Sequence, residues 1–283
     1  MIIIIAKFQE VHIMELSNIL FAFGLTVFAG LSTGLGGMFA LFCRKTNTKL
    51  ISVVLGFSAG VMIYVSFVEI LYEARKHLTA QLGDIKGLWI TAAAFFAGIF
   101  IIALIDKLIP SYKNPHEMHK VEEMKECNID GRNSKLLRTG LLTALAITVH
   151  NFPEGLASFT SAVRDPSLGV AIAIAIAIHN VPEGIAVSVP VYCATGSRKK
   201  ALQLSLLSGL SEPLGALIGY LILLPFLDDV VFGVLFAAIA GIMVFISLDE
   251  LLPTAREYGE HHMSIFGLVA GMMIMAVSLI LFI

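Results

Sequence analysis

Apolar positions along this chain come in long blocks, not with a simple helical or strand period. Eight mainly apolar stretches lie at roughly 16–42, 50–73, 88–109, 137–163, 168–193, 201–225, 230–252 and 263–283. A helix crossing the hydrocarbon core of a bilayer needs about 20 such residues, so each stretch is predicted to be a membrane-spanning helix. The fourth and fifth carry the weakest hydropathy signal, because each contains a His, a Pro and a Glu. Positions 171–178 alternate Ala and Ile in the manner of a strand. Their place inside a span of about 25 residues favours a buried helix. The one long connection, 110–136, is polar and holds His116, His119 and Cys127 among lysines and glutamates. It is predicted to be a solvated cytoplasmic loop, with a loose metal-collecting role as the sharper alternative. The chain as a whole, 1–283, reads as one transmembrane transport domain.

Composition agrees with lipid as the solvent. Hydrophobic residues make up 57% of the 283 positions and charged residues only 14%, against about a quarter charged in soluble domains. The first eight positions hold an apolar run too short for a secretory signal, so no cleaved peptide is expected. Basic residues sort strongly between alternate connections. With the N-terminus outside, fourteen of the nineteen Lys and Arg residues fall on the cytoplasmic side, as the positive-inside rule requires. The expected fold is therefore an all-α polytopic membrane protein of eight transmembrane helices with both termini outside, in the cytoplasmic membrane. Cys43, Cys127 and Cys193 form no spaced pair, so neither a disulfide framework nor a Cys-x-x-Cys metal site is expected.

Ionisable residues inside a membrane are expensive, at about 2.5–3.5 kcal/mol each near mid-helix. Their positions are therefore informative. The fourth stretch contains His150-Asn151-Phe152-Pro153-Glu154-Gly155 and the fifth His179-Asn180-Val181-Pro182-Glu183-Gly184. The copies lie near the middle of consecutive spans that run in opposite directions. His and Glu at i and i+4 stand on one helix face, one turn apart, and both can reach one ion. Asn at i+1 points about 100° away and offers a carbonyl oxygen to a second ion or a water. Each Pro frees a backbone carbonyl one turn earlier, which inside a bilayer is tolerated only beside a cavity or a new partner. Gly155 and Gly184 permit close helix approach. The sixth stretch adds Glu212 beside Pro213 at similar depth. Imidazoles with carboxylates suit a first-row divalent ion better than Mg or Ca. Four of these groups satisfy zinc, and the surplus can hold a second ion. Packing alone, by His–Glu pairing between helices, does not need this many carboxylates. Weaker candidates are Glu69, Asp249, Glu250 and Met62, for which interfacial or packing roles compete.

At these residues the sequence resembles the ZIP family of metal transporters, and its bacterial ZupT-like branch. The resemblance rests on the two His-Asn-x-Pro-Glu-Gly segments and spans essentially the whole chain. Supporting segments are Ser211-Glu-Pro-Leu-Gly-Ala216, Gly60-Val-Met-Ile-Tyr-Val-Ser-Phe-Val-Glu69 and Leu248-Asp-Glu-Leu-Leu-Pro253. It implies a 3+2+3 bundle in which the first and last three helices are inverted repeats around a central pair. It also implies a centre for one or two ions. His150, Glu154, His179 and Glu183 would form the main site, with Met62 close by. Asn151, Asn180 and Glu212 would form an adjoining one, sharing Glu154 and Glu183 as bridges. Glu69, Asp249 and Glu250 would fall along the path.

The expected activity is uptake of divalent metal, zinc first, with iron(II), cobalt, manganese and cadmium as further candidates. The metal is cargo, so no cofactor is expected. Partners are metal ions, lipid and a second copy of the chain in a homodimer, with no nucleic acid. Two other classes compete. An intramembrane zinc protease would need His-Glu-x-x-His, which the chain lacks, and a di-iron carboxylate enzyme would need Glu-x-x-His in its helices. A non-transporting sensor would need a soluble domain to carry its signal. No enzyme activity is expected.

Overall fold

The computed structural model describes residues 16–39, 48–108, 134–223, 226–258 and 261–281. Among these residues the regular structure is entirely helical. In chain order the helices are α1 (Leu16–Met38), α2 (Thr48–Val65), α3 (Leu71–Leu82), α4 (Asp84–Leu108), α5 (Ser134–Arg164), α6 (Pro166–Thr195), α7 (Arg198–Gly209), α8 (Ser211–Ile218), α9 (Asp229–Ile246), α10 (Leu252–Tyr258) and α11 (His261–Leu281). Two wide π-turns, Ser66–Ile70 and Ser247–Leu251, join α2 to α3 and α9 to α10 without breaking the rod. A third, Gly219–Leu223, extends α8. Seven of the resulting rods are long and apolar enough to cross a membrane. The rod outside that set is α5, where His150, Asn151, Pro153 and Glu154 lower the hydropathy of its centre. Positions 171–178 are helical and largely buried within α6, as their length predicted.

The sequence boundaries err where hydropathy and helicity part company. The second stretch was expected to end near 73, but the helix continues to Leu82. Its last turns are polar outside and bury Glu73, Ala74 and Leu78 inside, so the pattern that ends at the lipid boundary is not the pattern that ends the helix. Gly83, at φ 80°, stops it, because a left-handed residue is cheap only without a Cβ. Of the long connection, 110–133 lie outside the described residues and 134–136 begin α5. Cys193 is disulfide-bonded, whereas the cysteine spacing suggests no disulfide framework. Chain spacing carries no information about such a tertiary pairing.

The central hairpin sets the depth of everything that follows. Only Asp165 separates α5 from α6. Its carboxylate accepts from Ser167 N at 2.8 Å and Leu168 N at 3.3 Å, with Pro166 in the first helical turn, which is a strong N-cap. Gly169 then lets α6 close directly onto Ala162 of α5. At 1.5 Å per residue, His150 and His179 each lie about 20 Å from this turn. The copied segments therefore face one another.

Around the hairpin, α1 packs on α6 and α7, while α8 packs on α5. Farther out, α11 lies along α2 and α4 along α9. The apolar side chains of α4 that point away from the bundle, Trp89, Phe96 and Phe100, are exposed, whereas Phe95 is buried. At one end of the bundle Asp229 of α9 ties two other helices to its own: Arg164 of α5, and His77 Nδ1 at 3.2 Å and Gln81 Nε2 at 2.8 Å of α3. The Arg164 guanidinium also lies over the Phe232 ring at 4.5 Å. Because Asp229 and Arg164 are partly exposed, water screens the pair. Asp229→Ala is expected to lower stability by about 1 kcal/mol, read as a small fall in Tm of the purified protein. An unchanged or raised Tm would remove this tie from the account.

Candidate metal centre

The six matched residues of the two segments, with Glu212, converge in the middle of the bundle. His150, Asn151 and Glu154 of α5, His179, Asn180 and Glu183 of α6, and Glu212 of α8 are all at most 1% exposed. Seven buried polar side chains in one place are costly unless something satisfies them. The chain runs helically through Pro153 and Pro182. Glu212 sits in the first turn of α8, just past the interruption at Leu210 that precedes Pro213.

The pairing crosses between helices. His150 Nε2 lies 3.2 Å from Glu183 Oε2, and His179 Nε2 lies 3.1 Å from Glu154 Oε1. Each histidine thus meets the glutamate of the opposite helix. The physical reason is the antiparallel register: the one-residue turn brings the two histidines to nearly the same depth, so that each lies about 4.5 Å along the axis from the other helix's Glu, against about 6 Å from its own. Among the described residues no three His, Cys, Asp or Glu side chains form a closed ligand cluster. The centre consists of two neighbouring His–Glu pairs, with Glu154 and Glu183 both within electrostatic reach of His179 and Glu212.

The orientation of these groups suits a cation. His179 Nδ1 lies 3.0 Å from the Ala175 carbonyl, which can only accept, so Nδ1 carries a proton. In the neutral ring Nε2 then keeps its lone pair and faces Glu154. Metal-ligating histidines characteristically donate their second ring nitrogen in this way. Asn180 Nδ2 donates to the Ala29 carbonyl at 2.9 Å and to Glu212 Oε1, which turns its oxygen inward. Several atoms have no hydrogen-bond partner: both ring nitrogens of His150, both amide atoms of Asn151, Asn180 Oδ1, and one carboxylate oxygen each of Glu154, Glu183 and Glu212, the His150 and Glu183 atoms meeting only as an ion pair. Each unsatisfied buried atom costs about 1–3 kcal/mol. Apart from Asn151 Nδ2 they are carboxylate or amide oxygens and imidazole nitrogens, the atoms a borderline divalent ion takes.

The weaker candidates separate. Glu250, on the second π-turn, is buried and brings Oε2 to 3.8 Å from His150 Nδ1. Its neighbour Asp249 is exposed. Glu69, on the first π-turn, is half-buried and interacts with Glu73 and Lys76, not with the histidines. Met62 is fully buried on α2 within the main hydrophobic core.

One contact was missed altogether. Ser58 of α2, fully buried, places Oγ 3.3 Å from Glu183 Oε1 and 3.4 Å from the His179 carbonyl. A repeat that the sequence reading overlooked would have drawn attention to this helix. Met62-x-x-x-Ser66-x-x-Glu69 on α2 recurs as Met243-x-x-x-Ser247-x-x-Glu250 on α9. In both copies the serine hydroxyl donates back to the methionine carbonyl, at 2.6 and 2.7 Å, and opens the same π-turn. Likewise Gly30-Leu-Ser-Thr33 on α1 recurs as Gly209-Leu-Ser-Glu212. Gly184 lies against the Thr33 carbonyl and Gly155 against that of Glu212, so the two copies brace the two central helices in the same way.

Comparison with known proteins places the chain in a family. A family model described as ZIP Zinc transporter matches residues 16–279. The zinc transporter ZupT of Oceanobacillus iheyensis is 60% identical over 266 residues, covering 94% of this chain and 99% of its own length. That of Chlorobium chlorochromatii is 60% identical over 265 residues, covering 94% and 98%. The zinc transporter ZupT of Clostridium perfringens is 57% identical over 280 residues, covering 95% and 98%.

Proposed function

The chain belongs to the ZIP zinc transporter family, and on that premise we propose that it carries zinc into the cell through the centre between α5, α6 and α8. It is a multi-pass membrane transporter and not an enzyme. The observation that carries the site is the convergence of buried carboxylate and amide oxygens that lack hydrogen-bond partners with two crossed His–Glu pairs. His150, Glu154, His179 and Glu183 are the main ligands. Asn151, Asn180 and Glu212 supply oxygens to an adjoining position, so one or two ions occupy the centre. Glu250 receives or delivers the ion through its proximity to His150. Met62, Glu69 and Asp249 take lesser parts along the path.

The mechanism follows from charge. Two positive charges moving inward gain about 4.6 kcal/mol per 100 mV of membrane potential, twice the value for one charge. Zinc exchanges water for imidazole and carboxylate in a site buried between the central helices. Ion binding displaces any proton these groups share, so the buried pairs are satisfied by the cargo and not left charged and bare.

The architecture is eight spans with both termini outside, in the cytoplasmic membrane, and with 110–133 as a cytoplasmic loop before α5 begins at Ser134. The paired motifs of α1 with α7–α8, and of α2 with α9, support an inverted relation between the first and last three spans. So does the matched packing of α11 on α2 and α4 on α9. Such repeats suit alternating access around a midplane site. The exposed aromatic band of α4 faces either lipid or a second copy of the chain in a homodimer. The imidazole and carboxylate ligands also admit iron(II), cobalt, manganese and cadmium.

Radiolabelled zinc accumulation in cells lacking their own importers tests direction and selectivity together. Expression of the chain is expected to raise accumulation, and an excess of each of these ions to reduce it. Lowered accumulation would mean export, and zinc uptake untouched by the other ions would restrict the site to zinc.

A further inference from the structure

Glu154 and Glu183 occupy matched places in the copied segments, yet their surroundings differ. Glu183 Oε1 accepts from Ser58 at 3.3 Å, while its Oε2 faces His150. Glu154 Oε1 faces His179, and its Oε2 has no partner. No hydroxyl reaches Glu154 among the described residues. The repeat explains the difference. Ser58 stands four residues before Met62, and the corresponding residue before Met243 is Ile239, which has no donor. One half of the centre is therefore tethered to a neighbouring helix and the other is not.

The single Ser58 proton has two acceptors, the Glu183 carboxylate and the His179 carbonyl. Both contacts are longer than the roughly 2.8 Å of a strong O–H···O bond, as expected for one shared proton. The ionised carboxylate is the stronger acceptor, and the carbonyl keeps the hydroxyl aimed when the carboxylate turns. We propose that Ser58 is a positioning residue for metal: it holds Glu183 from α2 as the fixed carboxylate of the centre and leaves Glu154 as the carboxylate that moves during ion exchange. The assignment deepens the metal-centre reading and rests on it.

Zinc affinity of the purified full chain, measured by isothermal titration, tests this with a double-mutant cycle. Ser58→Ala is expected to weaken zinc binding about 10-fold, at the lower end of the range for residues that orient ligands. Ser58→Thr, which keeps the hydroxyl, is expected to stay within about twofold of wild type. The effect of Ser58→Ala should vanish when Glu183 is already Gln, and persist at full size when Glu154 is Gln. A purely structural role for Ser58 would give the same loss in both backgrounds. Loss of affinity in Ser58→Ala that is equal in the two backgrounds, or no loss at all, overturns the proposal while the metal centre stands. Wild-type affinity in Glu183→Gln overturns the metal-centre reading itself.

Discussion

Alanine at His150 or at Glu183 is expected to bring zinc uptake down to the level of cells without the protein. Each substitution removes one member of the pair whose Nε2 and Oε2 lie 3.2 Å apart in the middle of the bundle. Residues that merely orient a ligand cost about 10–100-fold when lost, so loss of a ligand is expected at or beyond the hundredfold end. The glutamate or histidine left behind would be a buried group without its partner, and breaking such a pair costs about 3–5 kcal/mol. Membrane abundance therefore has to be measured alongside flux, and Glu183→Gln, which keeps the shape, separates chemistry from folding. Undiminished zinc flux per molecule in both alanine variants would contradict the assignment.

The second large effect is steric. Gly184, directly after Glu183, packs against the Thr33 carbonyl so closely that a Cβ there would collide with α1 backbone. The helix α1 cannot yield by a rotamer change, since the obstacle is a main-chain carbonyl that also accepts from Ser205 Oγ at 3.0 Å. Gly184→Val must push α1 away from α6 and with it the Ala29 carbonyl that holds Asn180. Overpacking of this kind costs about 1–3 kcal/mol, and here it also displaces a ligand. Loss of folded protein or of transport is expected, seen as a lowered Tm and lowered flux. Gly24 is the control: nothing lies near its added Cβ. Gly24→Ala should be neutral or stabilising by up to about 1 kcal/mol, because alanine favours the helix. Equal effects at the two glycines would show that contact with α1 is not the cause.

Much of this was legible in the sequence, for identifiable reasons. His150-to-Gly155 and His179-to-Gly184 stand out because His, Asn, Pro and Glu are each disfavoured within a lipid-facing helix, and their recurrence needs an explanation other than packing. The helical state of 171–178 followed from span length despite the alternation. The crossed pairing was not legible, since it depends on the one-residue turn at Asp165 and not on either segment alone. Ser58 was invisible because a serine in a helix usually bonds back to its own backbone, as Ser66 and Ser247 do. Asp249 and Glu250 are adjacent in sequence, and only the π-turn decides which of them faces His150. The run of helix to Leu82 escaped notice because hydropathy reports contact with lipid, not helix formation.

X-ray absorption at the zinc edge, on the purified protein loaded with zinc, decides whether the ion sits among these histidines. Nitrogen and oxygen neighbours at about 2.0–2.2 Å are expected, with the outer-shell scattering of imidazole. That imidazole signal should fall in His150→Ala and again in the double variant with His179→Ala. A spectrum unchanged by both substitutions would place the zinc elsewhere and contradict the account.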